Sequence, residues 1–184
     1  FIAPLLIALM LAVRLGDGGP ALYGHSRIGL GGRRFRCLKL RTMIVGADAA
    51  LQAHLAQCPA VAIESATTEK LRDDPRVTPL GRFLRRTSLD ELPQIFNVLA
   101  GDMSLVGPRP VTADELARYD LARVHYLRAR PGVTGLWQVS GRSNTSYEER
   151  IRLDKTYVLR WSFLRDLVIL ARTGPALAKK GGAV

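Results

Sequence analysis

At 184 residues the chain is long enough for one domain with its own core. Its net charge of +11, from 27 Lys and Arg against 16 Asp and Glu, points to polyanions: nucleic acid, an anionic membrane face or phosphorylated substrates. Cys37, Cys58 and three scattered histidines show neither metal-ligand spacing nor a disulfide framework, which argues against a zinc site and fits a reducing, cytoplasmic setting.

The chain opens on Phe1 inside an apolar run and reads as a fragment of a longer protein. Residues 1–13 carry no charge. As a helix they would span roughly 20 Å, short of the ~30 Å hydrocarbon core of a bilayer. Three readings compete: a buried core helix, the remnant of a spanning helix, or a re-entrant segment kinked at Pro4. Arg14 closes the run as a cation at a membrane boundary would, which favours a membrane-dipping helix. A signal peptide does not fit, because no basic leader or cleavage site is visible.

Residues 16–20 make a turn, and Gly31-Gly32 reads as a hairpin turn. From Phe35 the pattern alternates, with Phe35, Cys37, Lys39, Arg41 and Met43 on one face of a strand. Lys39 and Arg41 would then project together, as solvated cations on an edge strand or as a phosphate clamp; the pattern alone favours the first. Residues 46–58 look helical, and residues 59–75 form a polar, irregular loop. Residues 79–86 make a short amphipathic helix, with Leu80, Phe83 and Leu84 opposite Arg82, Arg85 and Arg86. Such a basic face suits a membrane interface, and on charge alone it suits nucleic acid equally well.

Residues 87–110, TSLDELPQIFNVLAGDMSLVGPRP, hold the densest chemistry. Leu92, Ile95, Phe96 and Leu99 repeat at helical spacing, and Gly101 supplies the stop. With Asp90 as N-cap, Pro93 falls in the first turn, where no free N–H is needed; Ser88 with Glu91 is the alternative cap. Either way Asp90 and Glu91 are expected at a helix N-terminus, whose dipole favours the ionised form. Capping alone explains many such pairs.

Residues 112–129 read as a polar helix with Tyr119, Val124 and Leu127 inward. In residues 130–142, RPGVTGLWQVSGR, tight turns flank a short strand from Leu136 to Val139. Its glycines would let backbone N–H groups approach a ligand, and Trp137 reads as core. Ser146 with Glu149 caps a helix through Tyr157. Ser162 caps another, with Leu164, Leu167, Val168 and Ala171 on one face and an end at residues 173–175.

Together these motifs resemble the bacterial sugar transferases, the small monotopic phosphoglycosyl transferases that are also called polyprenyl-phosphate hexose-1-phosphate transferases. The resemblance rests on residues 39–43 (KLRTM), 76–110, 131–142 and 147–158, collinear over nearly the whole chain, and it is most specific in 76–110. The flavour is that of the ExoY type, which initiates exopolysaccharides. Leu40 stands where the family often has Phe, a packing change.

The resemblance implies a mostly helical α+β fold. A partial re-entrant membrane helix would occupy residues 1–15, with Pro4 at its kink. A domain on the cytoplasmic face of the bacterial inner membrane would occupy 16–184, with a small β element around 28–43 and 136–139. It implies transfer of hexose-1-phosphate from a UDP-hexose to undecaprenyl phosphate, with UMP leaving and Mg²⁺ required. The family's acidic dyad maps onto Asp90 and Glu91, and its Pro-Arg-Pro motif onto Pro108-Arg109-Pro110. Asp90 would be the nucleophile, forming an acyl phosphate. Glu91, and Asp90 itself, would hold the metal, and Arg109, Lys39 and Arg41 would contact phosphate. Gly132, Thr134, Gln138 and Arg142 would line the donor pocket, and Arg82, Arg85 and Arg86 the membrane interface. Nucleic acid is not an expected partner; a homodimer is possible within the family. The competing class is a catalytically inactive basic scaffold that binds membrane or nucleic acid, which a carboxylate pair does not serve.

Overall fold

The computed structural model describes residues 2–57, 74–141 and 145–178. Backbone contacts divide the chain into two compact units: Phe1–Leu22 with Leu40–Asp90, and Tyr23–Lys39 with Glu91–Ala183. The chain passes from one to the other between Asp90 and Glu91.

The first unit is helical. The apolar opening forms α1 (Ile2–Asp17), which buries Leu6 and Val13 and leaves Ile2, Leu5, Ile7, Leu11 and Leu15 exposed. Among the described residues no helix is long and apolar enough to cross a membrane. The alanine-rich stretch after Gly46 forms α2 (Ala47–Gln57). The expected loop over 59–75 lies almost wholly outside the described residues. The basic amphipathic helix forms as α3 (Pro79–Thr87), started by Pro79 and by the Thr78 hydroxyl, which accepts from Gly81 N–H at 2.9 Å. Leu84 is fully buried, but Phe83 is 44% exposed and Arg85 turns inward, so the two faces differ from the sequence pattern.

The second unit carries both small sheets. A hairpin pairs β1 (Leu22–Ile28) with β2 (Arg34–Leu40), and its tip holds Gly31 and Gly32 at φ 65° and 84°, the left-handed region where glycine costs least. Cys37 is buried in β2 beside Phe35 and Met103. The second sheet pairs β3 (Ser104–Val106) with β4 (Gly132–Thr134) in parallel, in the register Ser104 to Gly132 and Val106 to Thr134.

Several expectations fail here. Residues 136–139 are not a strand: Leu136–Ser140 is a helical turn, α7, and the extended residues are the three before Gly135. The predicted helix over 112–129 breaks into α5 (Ala113–Ala117), a 3-10 turn at Asp120–Ala122 and α6 (Arg123–Tyr126). Asp120, at φ 45°, interrupts it, and Tyr126 rather than the 60%-exposed Val124 fills the core. The long helices α8 (Tyr147–Leu159) and α9 (Phe163–Ala178) follow, and α9 runs through Pro175 instead of stopping before it. Its Leu164, Leu167 and Val168 are exposed, while Ile169 is buried with Val106 and Tyr157. A second cluster joins Ile28, Val111, Leu116, Tyr119 and Tyr126. Tyr126 ties it by donating from its hydroxyl to the Ile28 carbonyl at 2.7 Å and accepting from Val111 N–H at 3.2 Å.

Candidate active site

The two carboxylates leave α3 by a left-handed residue. Ser88 sits at φ 57°, and the chain then makes a single 3-10 turn, Leu89–Glu91. The α-helix proper, α4 (Gln94–Leu99), starts three residues after Glu91 with Pro93 at its N-cap. Asp90 therefore does not cap an α-helix. The stop is as expected, with Gly101 at φ 80°. The face of α4 is not as expected: Gln94 and Asn97 are buried, while Phe96 is 46% and Leu99 78% exposed.

Asn97 explains the inversion. Its side-chain oxygen accepts from Leu38 N–H at 2.9 Å, and its amide donates to the Arg36 carbonyl at 2.8 Å. It thus completes the free backbone of β2 as a further strand would. That pairing fixes α4 against β2, which ends on Lys39 and Leu40. Lys39 Nζ lies 2.6 Å from Glu91 Oε1, both side chains half-buried, so the sequence-predicted cation and the second carboxylate are brought together. The ion pair offsets the charge of Glu91 through one of its two oxygens.

In the first unit, Asp90 is 8% exposed, a buried acid in the middle of the turn. Arg41 lies beyond the end of β2 and pairs with Asp17, so Lys39 and Arg41 do not continue one strand face. The neighbouring Thr42 holds α3. Its carbonyl accepts from Thr78 N–H at 3.0 Å, and its hydroxyl accepts from Arg85 Nε at 2.9 Å. Arg85 is thereby a structural cation, while Arg82 and Arg86 stay exposed. A Cβ on Gly81 would overlap the Thr42 carbonyl oxygen, so the glycine permits this contact.

The Pro-Arg-Pro segment is held by the parallel sheet. Gly107 N–H donates to the Thr134 carbonyl at 2.9 Å, and Gly132 N–H donates to the Pro108 carbonyl at 2.8 Å. Cβ atoms on Gly107, Gly132 or Gly135 would each overlap neighbouring backbone. These glycines bring two stretches of chain into contact, and the Gly132 N–H is spent within the protein rather than offered to a ligand. The Thr134 hydroxyl shares a 2.9 Å hydrogen bond with Thr173 of α9. Gln138 donates to the Val133 carbonyl at 3.0 Å and keeps a buried Oε1 without a partner. Arg142 lies outside the described residues.

Arg109, between two prolines, faces Trp137, its guanidinium carbon 5.4 Å from the indole centroid. Trp137 is 6% exposed, core as expected. Arg150 lies over the same ring at 4.3 Å, and Asp154 follows it by four residues on α8. Asp154 is 2% exposed; its Oδ2 accepts from the Tyr119 hydroxyl at 3.0 Å, and its Oδ1 is buried without a hydrogen-bond partner. Burial pushes its pKa up to about 7, against the opposing pull of the Tyr119 hydroxyl, the Arg109 backbone N–H and the charges of Arg150 and Arg109. Arg150 and Asp154 escaped the sequence reading. Their one visible signal is a charged pair at helical i, i+4 spacing within an otherwise ordinary capped helix.

The family model for bacterial sugar transferases matches residues 1–180. The exopolysaccharide production protein ExoY of Sinorhizobium fredii is 52% identical over 182 residues, covering 99% of this chain and 80% of that protein. The undecaprenyl-phosphate galactose phosphotransferase of Salmonella typhimurium is 49% identical over 181 residues, 98% of this chain and 38% of that longer protein. The UDP-glucose:undecaprenyl-phosphate glucose-1-phosphate transferase of Caulobacter vibrioides is 46% identical over 183 residues, 95% of this chain and 63% of that protein.

Proposed function

The chain belongs to the bacterial sugar transferase family, and on that premise we propose that it moves hexose-1-phosphate from a UDP-hexose to undecaprenyl phosphate, opening an exopolysaccharide at the membrane. Asp90 is the nucleophile of this reading. One of its carboxylate oxygens attacks the phosphorus that bears the sugar, and the bond from that phosphorus to the bridging oxygen breaks. UMP departs with that oxygen, leaving an acyl phosphate on Asp90. An oxygen of the lipid phosphate then attacks the same phosphorus, and the Asp90 carboxylate is released. The hexose is glucose or galactose, the sugars named for the Caulobacter and Salmonella relatives.

The observation that carries this reading is the turn Leu89–Glu91, which presents a buried Asp90 directly before a Glu91 fixed by Lys39 at 2.6 Å. A nucleophile gains from rigid placement, because phosphoryl transfer is mainly positioning and charge neutralisation. Arg109 contributes a cation on a backbone locked by two prolines.

The donor set fits magnesium. Among the described residues no group of three or more His, Cys, Asp or Glu converges, and the oxygen donors of this reading are the consecutive Asp90 and Glu91. Magnesium typically binds one or two carboxylates plus substrate phosphates. When bound, it would neutralise phosphate charge. The exposed apolar side chains of α1 and the exposed Arg82 and Arg86 of α3 support attachment to the cytoplasmic leaflet of the inner membrane.

The test is UMP release in nanodiscs containing undecaprenyl phosphate, with Mg²⁺ and a panel of UDP-hexoses, beside Asp90→Asn. UMP that requires lipid phosphate and metal and vanishes in the variant supports the reading and names the sugar. No UMP from any donor, with the protein folded and membrane-bound, moves the assignment to an inactive scaffold. Release that survives Asp90→Asn removes Asp90 as nucleophile.

A further inference from the structure

Three donor atoms in the second unit are buried without an acceptor: Nε of Arg109, Nε of Arg150 and Nε1 of Trp137. They belong to one cluster, because both guanidinium carbons lie over the Trp137 ring, at 5.4 and 4.3 Å from its centroid. Among the described residues neither arginine has an ion-pair partner within 4 Å. The carboxylate they share as a neighbour, Asp154, accepts from the Tyr119 hydroxyl through Oδ2, while its Oδ1 is buried without a hydrogen-bond partner and so meets neither Nε.

Both arginines are half-buried with their Nε atoms fully buried, and a buried donor is normally paired, since its desolvation is costly. Here two cations of the same sign stand on one indole. Burial first, and then the charge of Arg109, disfavour the protonated form of Arg150. A cation–π stack recovers only about 0.5–2 kcal/mol per contact, and it leaves the N–H groups unmet. Guanidinium and indole N–H are donors only. Their complement is a ligand made only of acceptors and carrying at least one negative charge. A sugar hydroxyl or neutral carbonyl meets one donor and neutralises nothing, whereas a phosphate offers several charged oxygens and suits the planar guanidinium fork.

We propose that Arg150 and Arg109, mounted on Trp137, form a two-guanidinium seat for a phosphate group, with Trp137 Nε1 as a third donor. Arg150 is then a substrate-binding residue and not merely a helix-surface cation. The phosphate's identity rests on the transferase reading above. The donor's diphosphate and the lipid's phosphate monoester share this chemistry.

The test is titration calorimetry of the full chain in nanodiscs with inorganic pyrophosphate, UDP, uridine and farnesyl phosphate. None of these alone is turned over. Arg150→Gln is expected to weaken pyrophosphate binding at least tenfold and leave uridine unchanged, and Arg150→Lys to recover part of the loss. Arg152→Gln is the control, an exposed arginine on the same helix that pairs with Glu149. A second readout does not depend on an Arg150 variant folding. In Trp161→Phe protein, Trp137 is the one remaining tryptophan, and pyrophosphate should shift its emission. Loss of UDP but not of farnesyl phosphate assigns the seat to the donor; the reverse assigns it to the lipid. If Arg150→Gln binds every phosphate ligand as the parent does and Trp137 emission is unmoved, the proposal is overturned and the transferase reading stands. If pyrophosphate binds at Trp137 while UDP and farnesyl phosphate do not bind, the seat survives and the transferase reading fails. If the parent binds none of the phosphate ligands, both fall.

Discussion

Asp154 makes the stability of the second unit depend on pH in an unusual direction. Most acids that matter to a fold are stabilised as carboxylates. Asp154 is raised instead, from 3.8 to about 7, chiefly by burial. Between those values the folded protein holds a proton that the unfolded chain has released. A raised acid contributes stability below its unfolded pKa and loses it as pH climbs through the folded one. The slope is about 1.4 kcal/mol per pH unit. Over the interval of about three pH units the total is about 4 kcal/mol. Asp154→Asn keeps an acceptor for the Tyr119 hydroxyl and removes the titration. The assay is equilibrium urea unfolding of both proteins from pH 4 to pH 8. Relative to its own value at pH 4, the variant should gain about 4 kcal/mol over the parent by pH 7–8. A stability difference that stays flat across the range would refute the burial of an ionisable Asp154. A difference that changes in the opposite sense would mean the carboxylate is paired and not stranded.

Glu115 behaves in the opposite way. Burial pushes its pKa up but is outweighed by the Thr112 backbone N–H and by Arg27, 2.6 Å away, so its net shift is downward. Glu115→Gln should cost about 2 kcal/mol at pH 7, and urea unfolding should show the loss fading as pH falls below the ordinary carboxylate range. Asn97→Ala strands the Leu38 N–H and the Arg36 carbonyl. The expected cost is about 2–4 kcal/mol, with faster amide exchange at Leu38 as the local readout; unchanged exchange there would contradict the bridge. Gly81→Ala drives a methyl into the Thr42 carbonyl and should destabilise the first unit by about 1–3 kcal/mol, while Gly174→Ala, with nothing nearby, should not.

The parts of this protein legible from sequence are those whose cause is local. Thr78, with Pro79, starts α3, and the Ser146 hydroxyl caps α8 by accepting from Glu149 N–H. Gly31 and Gly101 mark turns because their φ values suit glycine. The order of Asp90 and Glu91 is read directly. At Ser146 even the local rule is half met, since the Glu149 carboxylate holds Arg152 instead of reaching back. The failures share a different cause. The turns around residues 136–139 suggest a short strand there, but a strand needs a partner, and the partner of β3 is the preceding triplet, Gly132–Thr134.

Apolar spacing likewise put Phe96 and Leu99 inward, yet Asn97 is buried because the open backbone of β2, about sixty residues earlier, has to be satisfied. Asp154 lies on an ordinary-looking helix. Only its burial in the folded chain raises it toward neutrality, against the pull of the Tyr119 hydroxyl, 35 residues upstream, and of the Arg109 backbone. The Ser146 cap, the glycine turns and the order of the acidic pair were settled by sequence alone, because each is decided within a few residues. Burial of Asn97 and Asp154, the Lys39–Glu91 pair and the stacking of Arg109 and Arg150 on Trp137 were decided by tertiary structure, because desolvation and pairing depend on groups that only folding brings within a few ångströms.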